Sequence, residues 1–157
     1  MKYELEKILI EKHQFLLKRN LPEGDTDVPY GLERNIEGFF KDKENTGIYD
    51  AYTLFGIECE DGWFNLLDEL LTKIEYLISE EDLFVVNQIK EKWGGLRFYY
   101  YTDSPNSDAI EKLVDEYEKR SLNICEICGK EGSVVETRGL WTLCREHFEE
   151  QIKDIEG

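Results

Sequence analysis

Three features of the sequence predict an α+β protein in which helices pack on a small antiparallel sheet and a zinc-knuckle module of treble-clef or ribbon type closes the C-terminus. Strand-like runs meet at Gly94-Gly95, apolar residues recur at helical spacing in several segments, and Cys-x-x-Cys and Cys-x-x-His pairs stand near the end of the chain. At 157 residues the chain has the length of one domain with a small appendage. The expected division is an α+β core over 1–122 and a knuckle over 123–157 packed on that core.

Taken in order, Lys2 to Arg19 reads as a helix with Leu5, Ile8, Leu9 and Leu16 on one stripe. His13 falls on its polar side, which predicts a surface position. Asn20-Leu-Pro-Glu-Gly24 ends the helix, and the turn-rich, polar segment to about Gly47 reads as loop with Phe39 and Phe40 tucked beneath it. A short strand is expected from Ile48 to Cys59, where Tyr49, Ala51, Thr53 and Phe55 alternate with other residues. Cys59 reads as a small buried hydrophobe. Asp61 is a candidate N-cap for the clearest helix, whose stripe is Trp63, Leu66, Leu67, Leu70, Ile74, Leu77 and Ile78 and which should cover the hairpin's core face. Between Glu58 and Asp82 carboxylates crowd around Lys73 alone, the pattern of a solvated acidic face.

The stretch from Phe84 to Thr102 is read as a β-hairpin turning at Gly94-Gly95. That turn sets Trp93 opposite Leu96, Lys92 opposite Arg97, Lys90 opposite Tyr99 and Gln88 opposite Tyr101. Trp93, Leu96, Phe98, Ile89 and Tyr100 then form a core face. Gln88, Lys90, Lys92, Arg97, Tyr99 and Tyr101 form the other face, and this set is the candidate ligand-binding site. Like charges facing each other disfavour strand pairing unless an anion lies over them, whether a carboxylate of the same chain or a ligand. Tyrosine rings offer stacking surfaces, and arginine can grip a phosphate with two donors. After the hairpin, Ser104-Pro105 signals a helix start, with Ile110, Leu113, Val114 and Tyr117 as its buried stripe.

Cys125-Glu-Ile-Cys128 and Cys144-Arg-Glu-His147, separated by residues 129–143, present three thiolates and one imidazole in two close pairs. Each pair can grip one edge of a tetrahedral ion, so Cys125, Cys128, Cys144 and His147 are the predicted ligands of Zn2+. Four protein ligands leave no position for a reactive water, which makes the site structural. Residues 134–143, with Arg138-Gly139 at their middle, can fold back as a hairpin. The last helix carries Phe148, Ile152 and Ile155 as its apolar stripe.

With 35 acidic against 19 basic residues the formal net charge is -16, a far field that repels nucleic acids and anionic membranes and favours basic partners. Screening confines distant charges to about 10 Å, so a small anion can still bind where local charge is reversed. No apolar run is long enough for a membrane span, Met1 to Lys7 has no secretory core, and metal-type cysteine spacing suits a reducing cytoplasm. There is no Gly-rich phosphate loop, nucleophile elbow or metalloprotease motif, and no catalytic residue is assigned.

Three segments carry a resemblance: Cys59-Glu-Asp-Gly-Trp-Phe-Asn-Leu-Leu-Asp-Glu-Leu70, Gln88-Ile-Lys-Glu-Lys-Trp-Gly-Gly-Leu-Arg-Phe-Tyr99, and the knuckle of Cys125, Cys128, Cys144 and His147. In these the chain is similar to a set of small uncharacterised phage and prophage proteins, over about its C-terminal two-thirds. The resemblance implies a setting, the host cytoplasm, and a role as an antagonist of host defence; it supplies no reaction. The favoured expectation is a non-enzymatic protein that sequesters a nucleotide-like anion or blocks a host protein. An acidic DNA mimic that occupies a nucleic-acid-binding protein, and a small hydrolase acting on a nucleotide, are the alternatives.

Overall fold

The structure, a computed structural model, describes residues 1–17 and 57–157. The loop expected up to Gly47 and nearly all of the strand expected from Ile48 lie outside the described residues.

Helix α1 spans Tyr3–Lys12 and gives way to a tighter helical turn over Gln14–Leu17. Its buried residues are Glu6, Leu9, Ile10, His13 and Leu16, whereas Ile8 is half exposed. The stripe therefore runs through Ile10 rather than Ile8, and it carries two polar side chains into the interior. Glu6 is there because its Oε1 accepts the N–H of Ile57 at 2.8 Å, which anchors the start of strand β1, Ile57–Glu58.

The chain then turns through Asp61–Trp63 into helix α2, Phe64–Leu77. Asp61 does not cap α2. Its Oδ1 accepts the backbone N–H of Lys2 at 2.8 Å, tying the start of α1 to this turn. Leu66, Leu67, Leu70, Leu71 and Ile74 are buried at helical spacing, as an amphipathic helix requires. Cys59 is buried as expected, and burial pushes its thiol pKa well up, so it is an inert packing residue.

Strands β2, Phe84–Lys92, and β3, Gly95–Thr102, form the hairpin. The turn lies one residue earlier than the sequence suggests. Lys92 pairs with Gly95, and the two loop residues are Trp93 and Gly94, with φ of 58° and 80°. Two successive left-handed residues match the right-handed twist of a tight hairpin, and here only the second of them is a glycine. Every cross-strand pair moves accordingly. Glu91 faces Leu96, Lys90 faces Arg97, Ile89 faces Phe98 and Gln88 faces Tyr99. Beyond a bulge at Asn87, Val86 faces Tyr100 and Val85 faces Tyr101. Trp93, expected in the core, is 68% exposed at the tip.

The sheet order is β1-β2-β3. It is mixed, not purely antiparallel: β1 pairs parallel to β2, with Ile57 beside Ile89 and Glu58 beside Lys90. Helix α3, Ser107–Ser121, packs along β3, and α2 packs against α3. The Ser104 hydroxyl accepts the N–H of Asn106, so the serine shapes the turn and the helix itself begins at Ser107. Ile110, Val114 and Tyr117 of α3, the apolar stripe of α2, and Phe84, Val86, Ile89, Leu96 and Phe98 of the sheet make one core.

The C-terminal segment contains strands β4, Ser133–Glu136, and β5, Leu140–Leu143, paired antiparallel as expected, then helix α4, Arg145–Glu156. Of the stripe expected on α4, Phe148 packs on Leu143 and the cysteines, while Ile155 is 40% exposed. Main-chain atoms tie this segment to the core. Gly62 N–H donates to Glu126 O at 2.6 Å, the buried Trp63 Nε1 donates to Ile124 O at 2.9 Å, and Thr142 Oγ1 donates to Gly94 O at 2.6 Å.

Candidate functional site

The cluster at Cys125, Cys128, Cys144 and His147 is built from two local devices. In the first, Cys125 N–H donates to Lys130 O and Gly129 N–H donates to Cys125 O, closing a tight turn in which Gly129 adopts φ 79°. The turn brings Cys125 and Cys128 to one side. In the second, Cys144 immediately precedes α4 and His147 lies in its first turn, so three residues of helix bring the two side chains to one side. The β4–β5 hairpin carries Cys144 back to the first pair.

All four ligand atoms lie within 4.8 Å of one another. Cys128 Sγ and Cys144 Sγ are 3.8 Å apart, Cys125 Sγ is 3.5 Å from His147 Nδ1, and Cys144 Sγ is 3.2 Å from that nitrogen. A tetrahedral ion with metal–sulfur bonds of about 2.3 Å and metal–nitrogen bonds of about 2.0–2.1 Å needs S···S edges of about 3.8 Å and S···N edges of about 3.5 Å. The four side chains could therefore hold a metal ion, and their spacing is consistent with zinc. His147 presents Nδ1 to the cluster, leaving Nε2 3.9 Å from a Glu150 carboxylate oxygen that can steady the ring. Burial acts to raise the Cys125 thiol pKa, but the N–H groups of Cys144, Cys128 and Ile127 directed at it prevail and lower it.

Glu126, between the first two cysteines, is buried. Its Oε1 accepts Glu60 N–H at 3.2 Å and its Oε2 has no partner among the described residues. Burial, with the charges of Glu91 and Glu60, pushes its pKa up to about 7 against the pull of the Glu60 N–H. It is a wedge between knuckle and core.

On the hairpin, strand alternation and the observed register place Gln88, Lys90 and Lys92 of β2 on the same face as Arg97, Tyr99 and Tyr101 of β3. Lys90, not Lys92, is directly opposite Arg97. Tyr99 and Tyr101 are 41% and 57% exposed. Arg97 Nη1 donates to its neighbour's carbonyl, Leu96 O, at 2.9 Å, and Gln88 Nε2 donates to Glu58 Oε1 at 2.8 Å. Among the described residues no carboxylate stands within ion-pair distance of Lys90, Lys92 or Arg97.

His13 differs from its expected surface position. It is 1% exposed, with Nε2 2.6 Å from Asp68 Oδ1 and Nδ1 3.3 Å from Glu75 Oε1. Asp68 and Glu75 are seven residues apart on α2 and so share a helical face, which lets one imidazole clamp α1 onto α2. The Glu75 contact is off line for a hydrogen bond, whereas the Asp68 contact is a good one. Burial acts to raise the Asp68 pKa, and hydrogen bonds from Lys12 and His13 outweigh it, leaving the carboxyl below its usual value. A hollow of about 410 Å³ opens nearby, lined by Phe15, Glu75, Ile78 and Phe84, but His13 does not line it.

Fold and cluster together define a small α+β protein with a C-terminal knuckle whose four side chains could hold a metal ion. The chain matches no family model, no curated protein and no solved structure. Among the described residues no helix is long and apolar enough to cross a membrane.

Proposed function

We propose that this is a non-catalytic binding protein, stapled by structural zinc, that receives a nucleotide-like anion on the outer face of the β2–β3 hairpin. The observation that carries this reading is Lys90 directly opposite Arg97, with Lys92 next along β2 and no carboxylate paired to any of the three among the described residues. In a chain with 35 acids, three neighbouring cations that no carboxylate contacts among the described residues form a patch whose mutual repulsion a bound anion relieves. Tyr99 and Tyr101 flank them as exposed rings, each able to contribute about 1–3 kcal/mol by stacking on a base.

Zinc is the metal that this donor set favours, since three soft thiolates and an imidazole select against hard, oxygen-seeking cations. With all four positions taken by protein, the ion's work is to hold the knuckle against the core. Likeness to phage and prophage proteins supports a biological role in the host cytoplasm, where sequestering a nucleotide signal or blocking a host protein would antagonise defence.

The test is calorimetric titration of zinc-loaded protein with mono-, di- and cyclic nucleotides, alongside the Lys90→Ala/Arg97→Ala double variant. We expect saturable binding of at least one nucleotide, weakened roughly tenfold or more in the variant while its circular dichroism is unchanged. Equal affinity in the variant, or no heat from any nucleotide, overturns the assignment.

A further inference from the structure

We infer that the groove between helix α3 and the edge of β3 that pairs with no strand among the described residues is a docking site for an extended, lysine- or arginine-bearing segment of a partner protein, which adds to β3 as a further strand. The edge is set up for this by its hydrogen-bond pattern. Leu96 N–H donates to Ser121 Oγ and Phe98 N–H to Glu118 Oε1, both at 2.9 Å, so alternate N–H groups of β3 point away from β2 toward α3. Tyr100 is next in that alternation, and among the described residues its N–H meets no such side chain. Ser121 and Glu118 thus blunt one end of an edge strand and leave the Tyr100–Thr102 end open to pairing.

A groove of about 420 Å³ runs along that open end, bounded by Phe98, Tyr100 and the α3 residues Asp108, Glu111, Asp115 and Glu118. Among the described residues its lining holds these four carboxylates and no lysine or arginine. They recur at intervals of three and four residues, which puts them in one row along the helix. Their negative charge reaches into the groove: burial, then Glu111, Asp115 and Glu118, raise the Tyr100 phenol pKa. Spacing fits an extended chain as well. Glu111 and Asp115 are about 6 Å apart along the helix axis at about 1.5 Å per residue. Alternate side chains of a strand stand about 6.6 Å apart. A segment paired to Tyr100 would set every second side chain against successive carboxylates. The chain's net charge of -16 steers basic segments toward this face from a distance. This partner binds on the α3 side of the hairpin and is independent of an anion held over Lys90 and Arg97.

The experiment uses the full-length, zinc-loaded protein and a fluorescein-labelled octapeptide of alternating lysine and valine, with an alternating glutamate and valine peptide as control. Anisotropy should show saturable binding of the lysine peptide alone. In the Glu111→Lys/Asp115→Lys variant, where both residues are exposed, affinity should fall by roughly tenfold or more. At saturation the Tyr100 amide proton should shift downfield and exchange more slowly in NMR spectra. No saturable binding of the lysine peptide, unchanged affinity in the variant, or an unperturbed Tyr100 amide at saturation each overturns strand addition.

Discussion

Gly62 is the position at which the junction of knuckle and core can be tested most directly. A Cβ there would lie 2.2 Å from Cys125 O and 2.4 Å from Glu126 O, both main-chain atoms that no rotamer change can move aside. To restore ordinary contact the two backbones must part by about 1 Å, a displacement that close-packed interiors resist. Separation also breaks the 2.6 Å hydrogen bond from Gly62 N–H to Glu126 O, at a cost of about 0.5–1.5 kcal/mol, and overpacking adds about 1–3 kcal/mol. Gly62→Ala should therefore destabilise by about 2–4 kcal/mol, lowering Tm by roughly 5–15 °C for a chain of this size. Because the clash falls on the carbonyl of a proposed zinc ligand, zinc affinity measured by competition with a chromophoric chelator should fall with it. Gly139→Ala is the control, since its Cβ would meet nothing nearer than Trp141 Nε1 at 3.9 Å. Calorimetric scans in which Gly62→Ala melts with the parent protein, or in which Gly139→Ala loses as much, would refute the argument.

Three further outcomes are expected. Removing zinc with a strong chelator, or replacing Cys128 with serine, should release the 123–157 segment and abolish the buried signature of Trp63, read as a red shift in tryptophan emission; unchanged emission would show that the knuckle stands without metal. Trp93→Asn places Asn-Gly in a turn whose residues have φ of 58° and 80° and should stabilise by about 0.5–1 kcal/mol in urea titrations, with a loss of stability counting against strain at the tip. Asp68 is held below its usual pKa, so its stabilising contribution is complete above the unfolded value of 3.8 and is lost as pH falls through the folded value. Asp68→Asn should accordingly flatten the acid limb of the stability curve below about pH 4, and an unaltered limb would remove the His13–Asp68 clamp from the account.

What could be read in the sequence was what local spacing dictates. Cys125, Cys128, Cys144 and His147 announce themselves because each pair stands within one turn of chain, close enough for both members to reach a single ion, and helices α2 and α3 because their stripes are long and periodic. The hairpin was legible but displaced by one residue. A Cβ at Gly95 would press on Arg97 Nη1 and Leu122 Cδ2 at 3.1 Å, so that glycine serves close packing at the strand start while Trp93 enters the turn. Such a contact with the end of α3 has no local signature. His13 was misplaced for the same reason: the carboxylates that make its burial tolerable, Asp68 and Glu75, stand 55 and more residues away. The parallel pairing of β1 and the wedge of Glu126 likewise depend on partners far along the chain.

The tether from Thr142 to the hairpin tip has a bearing on how this protein can be altered. Its hydroxyl is fastened to Gly94 O, and its own carbonyl accepts the N–H of Glu126, so one residue stitches the tip, β5 and the cysteine turn together. A seam sewn through main-chain atoms demands matched backbones on both sides. The C-terminal segment is thus no interchangeable cassette: grafting a foreign knuckle after residue 122, or expressing 1–122 by itself, would strip Gly94 O and the Trp63 indole N–H of their partners at one stroke.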